Sequence, residues 1–423
     1  MVQIDYVVMS CAEATDLHDY ALRELAERVA PVLDAVRRRG DDALPRSALR
    51  LSATDIRRCI EALPARVLDD VRLTQDRMRR FAEAQRAAIR DFETEVLLGV
   101  RCGVRHVAVA SAGVCLPANP DGLGLQAAQT AVIAARAAGV KRVVACVPAA
   151  GDSRPVSGDA DRPNALLVGA LALAGAEEIY LAGGVRALAA LTFGTESISR
   201  VESVIAADTG DETLAEARRQ LAAAGIGRLR PGILVLADDE ADPELIAADL
   251  LSAHGCGAGA RGVLITVSPV LAAQVSGAVE RQLDLLPCGE DAARTWHARG
   301  TISLAADAGA ACRLANRHGL ECVELMTSDP RWYLHRLRRC RQVFLGESSG
   351  AALADQAIAP VSPLQGSGEA ASVASFLRAI SYREGPAADD GAVARLRRLT
   401  GLEVHARACE ARASRRVSAL ATS

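Results

Sequence analysis

From about residue 104 onward the chain alternates short apolar runs with Ala/Leu-rich stretches of helical spacing. No other feature constrains the fold as strongly. "VRHVAVA" (104–110) precedes "GLQAAQTAVIAARAAG" (124–139), "RVVACVP" (142–148) precedes "NALLVGALALAG" (164–175), and "EEIYLAGG" (177–184) precedes "VRALAAL" (185–191). A second series runs through "ILVLAD" (233–238), "DPELIAADLLSAHG" (242–255), "GVLITV" (262–267) and "PVLAAQVSGAVERQLDLL" (269–286). It continues with "TISLA", a helix to Arg317, "ECVELM", another helix and "QVFLG". Strands that are apolar along their whole length are buried on both faces, and strands joined by helices of roughly ten or more residues pair in parallel through right-handed crossovers. The expected class is α/β, with two doubly wound units. The first hundred or so residues read as helical, with Ser52 capping "SATDIRRCIEAL". After "QVFLG" a loop-rich stretch is expected to about 370, and then a helical, basic tail, "GAVARLRRLTGLEVHARACEARASRRV".

At 423 residues the chain is too long for one simple core and suits two domains with appendages. A net charge of −3 gives no predisposition to bind nucleic acid, and the Arg37–Arg39 and Arg412–Arg416 clusters read as solvated helix faces. The opening "MVQIDYVVMSCAEATD" lacks the basic start and long apolar core of a secretory signal. No apolar run reaches the ~18 residues of a membrane span. Eleven cysteines scattered without CxxC pairs suit a reduced, cytoplasmic protein with free thiols. Lys141 is the only lysine; it stands outside any GxxxxGK[ST] phosphate loop and reads as a surface residue rather than a Schiff-base lysine.

In "LLSAHGCGAGARGVLIT" (250–266) a helix ends at a glycine-rich turn that carries His254 and Cys256, two side chains able to ligate a metal. "GESSG" (346–350) fits GxSxG after a strand, and Ser348, Asp355 and His405 follow the hydrolase chain order, but Asp355 stands only seven residues past the serine. That spacing counts against a triad.

Segment order and spacing from about residue 28 to 412 resemble the histidinol dehydrogenase family. The resemblance is carried by "RRRGDDAL" (37–44), "GVRCGVRHVAVASAGVCLP" (99–117), "AGVKRVVACVP" (138–148) and "LAGGVRALAALTFGTES" (181–197). "VLADDEADPELIAADLLS" (235–252), "AVERQLDLLP" (278–287) and "QVFLG" (342–346) add to it. It implies homodimeric, zinc-dependent enzymes that oxidise an amino alcohol to an amino acid with NAD, on two incomplete Rossmann-like domains. The expected division is an N-terminal segment 1–27, one domain from 28–112 with 233–378, a second from 113–232, and a tail 379–423 exchanged between subunits.

The departures from the family pattern fall on its working positions. The family's zinc-binding Gln and His correspond to Ala253 and Cys256, its Asp to Asp355 and its tail His to His405. Cys256, Asp355 and His405 are therefore the implied metal ligands, with Cys256 as a thiolate; the alternatives are a small buried Cys256 without metal, or His254 as a shifted ligand. The family's catalytic Glu-His pair becomes Glu321 and Cys322, the cysteine readable as nucleophile, fourth ligand or core. Hydride transfer from an alcohol needs a base with a pKa near 7, which Glu321 supplies only if burial raises it. The second family base, an Asn-His dipeptide, is replaced by Val361 and Ser362. The "GPGN" turn becomes "IAADTGDET" (205–213), whose Asp208, Asp211 and Glu212 would repel a pyrophosphate. Cys115 stands for a tyrosine, Arg186 for a glutamine, "LRPG" (229–232) for a serine-bearing turn and Thr400 for the glutamate that grips the substrate amine. The expected function is a zinc-dependent enzyme acting on a small amino or hydroxy metabolite other than histidinol, in specialised metabolism. A genuine NAD-dependent alcohol or aldehyde dehydrogenase and a non-catalytic partner are the alternatives.

Overall fold

The computed structural model describes residues 11–45, 50–117, 122–148, 164–207, 211–224, 229–253, 260–286, 289–350, 371–385, 390–399 and 402–422. Its elements begin with α1 (Cys11–Arg39), α2 (Ala53–Glu61), α3 (Ala65–Ala88), β1 (Phe92–Leu97), β2 (Val100–Ala108), β3 (Ser111–Cys115), α4 (Gly122–Ala138) and β4 (Arg142–Val147). There follow α5 (Ala165–Ala174), β5 (Glu178–Leu181), α6 (Gly184–Phe193), β6 (Ser203–Ala206), α7 (Glu212–Ala223), β7 (Arg230–Ala237), α8 (Pro243–Ser252) and β8 (Arg261–Thr266). The remainder is α9 (Pro269–Asp284), α10 (Gly289–Arg299), β9 (Thr301–Leu304), α11 (Ala308–His318), β10 (Leu320–Met326), α12 (Pro330–Leu334), β11 (Gln342–Leu345), β12 (Leu377–Glu384), α13 (Asp390–Leu399) and α14 (Glu403–Thr422).

The chain forms two compact units. Unit 1 comprises Met1–Ile89, Ala108–Arg228 and Pro363–Leu377; unit 2 comprises Arg90–Val107, Leu229–Ser362 and Arg378–Ser423. This groups the N-terminal helices with the smaller sheet, whereas the sequence-based division set 28–112 beside 233–378. Packing decides it: Val29, Leu33 and Val36 of α1 share a buried cluster with Leu188 of α6 and Leu214 of α7, and Cys59 and Ala82 join the cluster around α4 and α5.

Unit 1 carries a parallel four-stranded sheet in the order β5-β4-β3-β6. Its central strand β4 is buried on both faces, with Val143, Val144, Ala145, Cys146 and Val147 all at 0% exposure. A buried valine contributes roughly 1.5–3 kcal/mol over an exposed one, so such a run cannot be displaced to an edge cheaply. Unit 2 carries an eight-stranded sheet in the order β1-β2-β12-β11-β10-β7-β8-β9. The six strands from β12 to β9 are parallel and follow the third-second-first-fourth-fifth-sixth order of a doubly wound dinucleotide fold. Unit 1 has the first four strands of the same order. Both sheets are covered on two sides, in unit 2 by α8 and α9 on one face and α11 and α12 on the other.

Three elements differ from the sequence expectation. "VRHVAVA" was expected as one strand, but β2 ends at Ala108 and β3 begins at Ser111 in the other sheet; the Val109 amide donates to Phe376 O and the Ala110 amide to Glu202 Oε2 at the crossing. β1 pairs antiparallel with β2 across a turn at Gly99, whose φ of 77° requires glycine. Residues 377–384, six of which fall within the expected tail 379–423, form β12, the sixth parallel strand, with Ile380, Ser381, Tyr382 and Arg383 all buried.

Candidate active site

Glu321 and Cys322 are the second and third residues of β10, at the amino-terminal end of the unit 2 sheet. Successive strand residues face opposite sides. Cys322 packs with the cluster under α8 and α9, whereas Leu320, Val323 and Leu325 enter the cluster on the α11 side, the register with β7 shifting between Leu320 and Cys322. The two side chains have different partners. Glu321 is ion-paired with Arg341 at 3.2 Å, and the Arg341 amide donates to Glu321 O at 2.9 Å. The Cys322 thiol donates to Gln342 Oε1 at 3.5 Å, across a register in which the two residues are partners.

Of the three implied metal ligands, Cys256 and Asp355 lie outside the described residues, as does His254. His405 is described: it is buried on α14, two turns before Arg412. Among the described residues no group of three His, Cys, Asp or Glu side chains stands together as a metal site. The donor set of thiolate, carboxylate and imidazole is nonetheless one that zinc accepts. Cys256 also lies three residues beyond Ala253, the cap of α8, and α8 is the helix against which α14 packs.

What holds α14 there is a buried ion cluster. Arg412 Nη1 donates to Asp249 Oδ1 at 2.7 Å, Nη2 pairs with Asp249 Oδ2, and Nε donates to Glu347 O at 2.9 Å. Glu324 Oε2 of β10 lies 3.5 Å from Nη2. Gly350 lies so close to the guanidinium that a Cβ there would overlap it. Burial works against the charge, but the Asp249 and Glu324 carboxylates outweigh it and hold the Arg412 pKa above the usual arginine value. The expectation of a solvated face is thus corrected for Arg412, which is 4% exposed. Arg37, Arg38 and Arg39 are exposed as expected. Sequence reasoning missed the cluster because its one local signal, an aspartate inside an apolar helix, names no partner.

At the carboxyl ends of the unit 2 strands, Asp238 accepts from the Ser328 amide at 2.7 Å and its hydroxyl at 2.9 Å, tying β7 to β10 where the strand order reverses. A dinucleotide pyrophosphate would be expected at the start of the helix after the first strand. Here that helix is α8, capped by Asp242, opened by Pro243 and Glu244, with Glu347 Oε1 accepting the Asp242 amide at 2.7 Å. In unit 1 the "GPGN" position leads into α7, whose Thr213 and Leu214 amides are taken by the Asp211 carboxylate. Neither end fits a pyrophosphate: carboxylates already occupy the amides and supply the negative charge. Cys115 is fully buried and its thiol donates to Gly184 O at 3.4 Å. Burial pushes the thiol of its register partner Cys146 up to about 12 and that of Cys115 well up, which leaves both unreactive.

"GESSG" follows β11 as its pattern suggests, but Ser348 is exposed and its neighbour Ser349 is buried, donating to Arg383 O at 3.4 Å. The turn serves the buried cluster. No helix among the described residues is long and apolar enough to cross a membrane.

Comparison with known proteins decides the lineage. Residues 17–413 match the family described as histidinol dehydrogenase. The chain belongs to the histidinol dehydrogenase family. A relative from Mesorhizobium japonicum, described as histidinol dehydrogenase homolog 1, is 36% identical over 347 residues, covering 79% of this chain and 67% of its own length. The sulfopropanediol 3-dehydrogenase of Ruegeria pomeroyi is 31% identical over 378 residues, covering 86% of this chain and 84% of its own. The crystal structure of histidinol dehydrogenase from Elizabethkingia anophelis has a TM-score of 0.50 at 22% identity over 92% of each chain, a likeness of fold. Membership of this dehydrogenase family makes the chain an enzyme by descent.

Proposed function

We propose that this histidinol dehydrogenase family member acts on a small amino or hydroxy metabolite other than histidinol, in the cytoplasm, with zinc held by Cys256, Asp355 and His405. The observation that carries the reading is the site at the start of β10. There the family's catalytic histidine is replaced by a cysteine that donates to Gln342, and Glu321 is engaged by Arg341. A site altered so far has lost the groups that served the original substrate. The relative named for sulfopropanediol supports a family that accepts other substrates.

Zinc, when bound, would act as a Lewis acid that polarises a substrate oxygen. The chain's own contributions are to orient and to hold protons. His405 would offer a neutral imidazole nitrogen, kept in place because the Arg412 clamp fixes α14 on α8. Cys256 and Asp355 would complete an anionic donor set. Glu321, freed from Arg341 by a bound substrate, would take up the hydroxyl proton. A homodimer that exchanges its C-terminal helices would move the α8–α14 contacts from one chain to between two, without altering them.

Elemental analysis of purified protein tests this reading. Zinc near one per chain, lost in C256S and in H405N, is the expected result; content far below one per chain in the unmodified protein refutes it. A second reading, a genuine NAD-dependent dehydrogenase, is favoured by the names of the relatives. Calorimetric titration with NAD to about millimolar concentration without heat removes it.

A further inference from the structure

The amino-terminal edge of the unit 2 sheet gathers positive charge. β7 opens on Arg230 and β8 on Arg261, Arg317 stands in the last turn of α11, Arg341 precedes β11 and Arg378 is the second residue of β12. Arg339 also belongs to the group, its guanidinium carbon 3.2 Å from where a Cβ on Gly319 would stand. The backbone brings several of these together. The Arg230 amide donates to Gly319 O at 2.9 Å, and Gly232 lies so close to the Arg261 backbone that a side chain there would collide with it. Among the described residues the side chains of Arg230, Arg261 and Arg317 make no hydrogen bond or ion pair, in contrast to Arg341, which is held by Glu321.

Helix carboxyl ends converge on this edge, and each carries about −0.5 charge, which basic residues offset. Three helices, α8, α10 and α11, lead directly into β8, β9 and β10. Together they supply about −1.5, and Glu321 supplies one charge more, against six guanidiniums. About three and a half positive charges are left over. Burial first, and then Arg230, Arg261 and Arg317, hold the half-buried His318 below its usual pKa, as a site short of negative charge would. The whole chain is at −3, so this edge is a local feature and not an expression of a basic protein.

We propose that Arg230, Arg261, Arg317 and His318 bind the oxyanion group of a small molecule, a sulfonate, phosphate or carboxylate, and that this molecule is the substrate. Planar guanidiniums suit such groups because they offer paired N–H donors at matching spacing. The assignment to substrate rests on the function proposed above, and on the register: Leu320, immediately before Glu321 and Cys322, is the partner of Arg230. A polyanion such as nucleic acid fits less well, since it calls for an extended stripe with aromatic stacking, and aromatic residues are 3% of this chain. The pyrophosphate of a dinucleotide carries the same oxyanion chemistry, and the experiment separates the two sources.

The test is isothermal calorimetry on the full chain with 2,3-dihydroxypropane-1-sulfonate, inorganic phosphate, glycerol and NAD. The sulfonated diol is expected to bind at least about tenfold more tightly than glycerol, with affinity falling as salt rises, and R230Q/R261Q to weaken it by about tenfold or more. Equal affinity for the sulfonate and glycerol overturns the proposal, as does an unchanged affinity in R230Q/R261Q. NAD binding that R230Q/R261Q abolishes, with the sulfonate unaffected, overturns the assignment to substrate. Should R230Q/R261Q fail to fold by circular dichroism, R317Q, altered at an exposed helix end, carries the same comparison. Zinc content measured on the same samples keeps the two proposals apart. Loss of metal with anion binding intact refutes only the function, and loss of anion binding with metal intact refutes only the oxyanion site.

Discussion

Replacing Arg412 by methionine is the sharpest test of how unit 2 holds its C-terminal helix. Methionine keeps much of the stem volume and removes only the charge and its donors. Asp249 and Glu324, both 0% exposed, would then be left as buried carboxylates without their bridging guanidinium. Removing one partner of a buried ion pair costs about 3–5 kcal/mol, because the other stays desolvated and uncompensated. The bonds to Glu347 O and Ala408 O go as well, each worth roughly 1 kcal/mol. Against a typical domain stability of about 5–15 kcal/mol, the loss is a large fraction of what keeps unit 2 folded. Urea unfolding of the full chain, followed by circular dichroism, should show the unit 2 transition moving to lower urea. Limited trypsin digestion should cleave α14 before the rest. The two units need not unfold together, so the transitions are to be fitted separately. A shift worth less than about 1 kcal/mol would refute the reasoning. So would a D249L/E324L/R412M variant no more stable than R412M, because removing all three charges should recover much of the loss.

Other consequences are smaller. Glu178 is held below the usual carboxylate range by its two hydrogen bonds from Arg142, which outweigh burial. Its folded pKa is depressed, so its stabilisation is present above the unfolded value of about 4.3 and lost as pH falls through the folded one. E178Q should therefore be less stable than wild type at pH 7, and urea midpoints of the two proteins should converge on acidification. D211A removes the α7 cap and should cost about 1 kcal/mol in thermal or urea unfolding. G350A presses a methyl group onto the pinned Arg412 guanidinium and should destabilise unit 2 by roughly 1–3 kcal/mol, read by the same urea titration. Ser348 should resist fluorophosphonate labelling; a label that S348A abolishes would reinstate the hydrolase reading.

Most parallel strands and the helices between them were legible in the residues, because what specifies them is local. In β4 a run of valines marks a strand covered on both faces, and α5 is bracketed by an Asn164 cap and a left-handed Gly175. The order of motifs also sufficed to place the chain in its family. β12 was not legible: "LRAISYRE" carries Arg378 and Arg383 in a strand whose burial depends on β11 beside it. Nor was the hairpin strand β1, whose six residues are all exposed and so show no burial pattern. At the candidate site, sequence order named Glu321 and Cys322, but only the strand pairing gave them their partners, Arg341 and Gln342. The Arg412 cluster joins residues 163 and 88 positions apart along the chain. The sequence by itself determined the elements, their parallel pairing class and the lineage. Tertiary structure decided which helices cover which sheet, which arginine is buried and which are left on an open edge. Those outcomes depend on desolvation by distant partners, and no local window of sequence contains them.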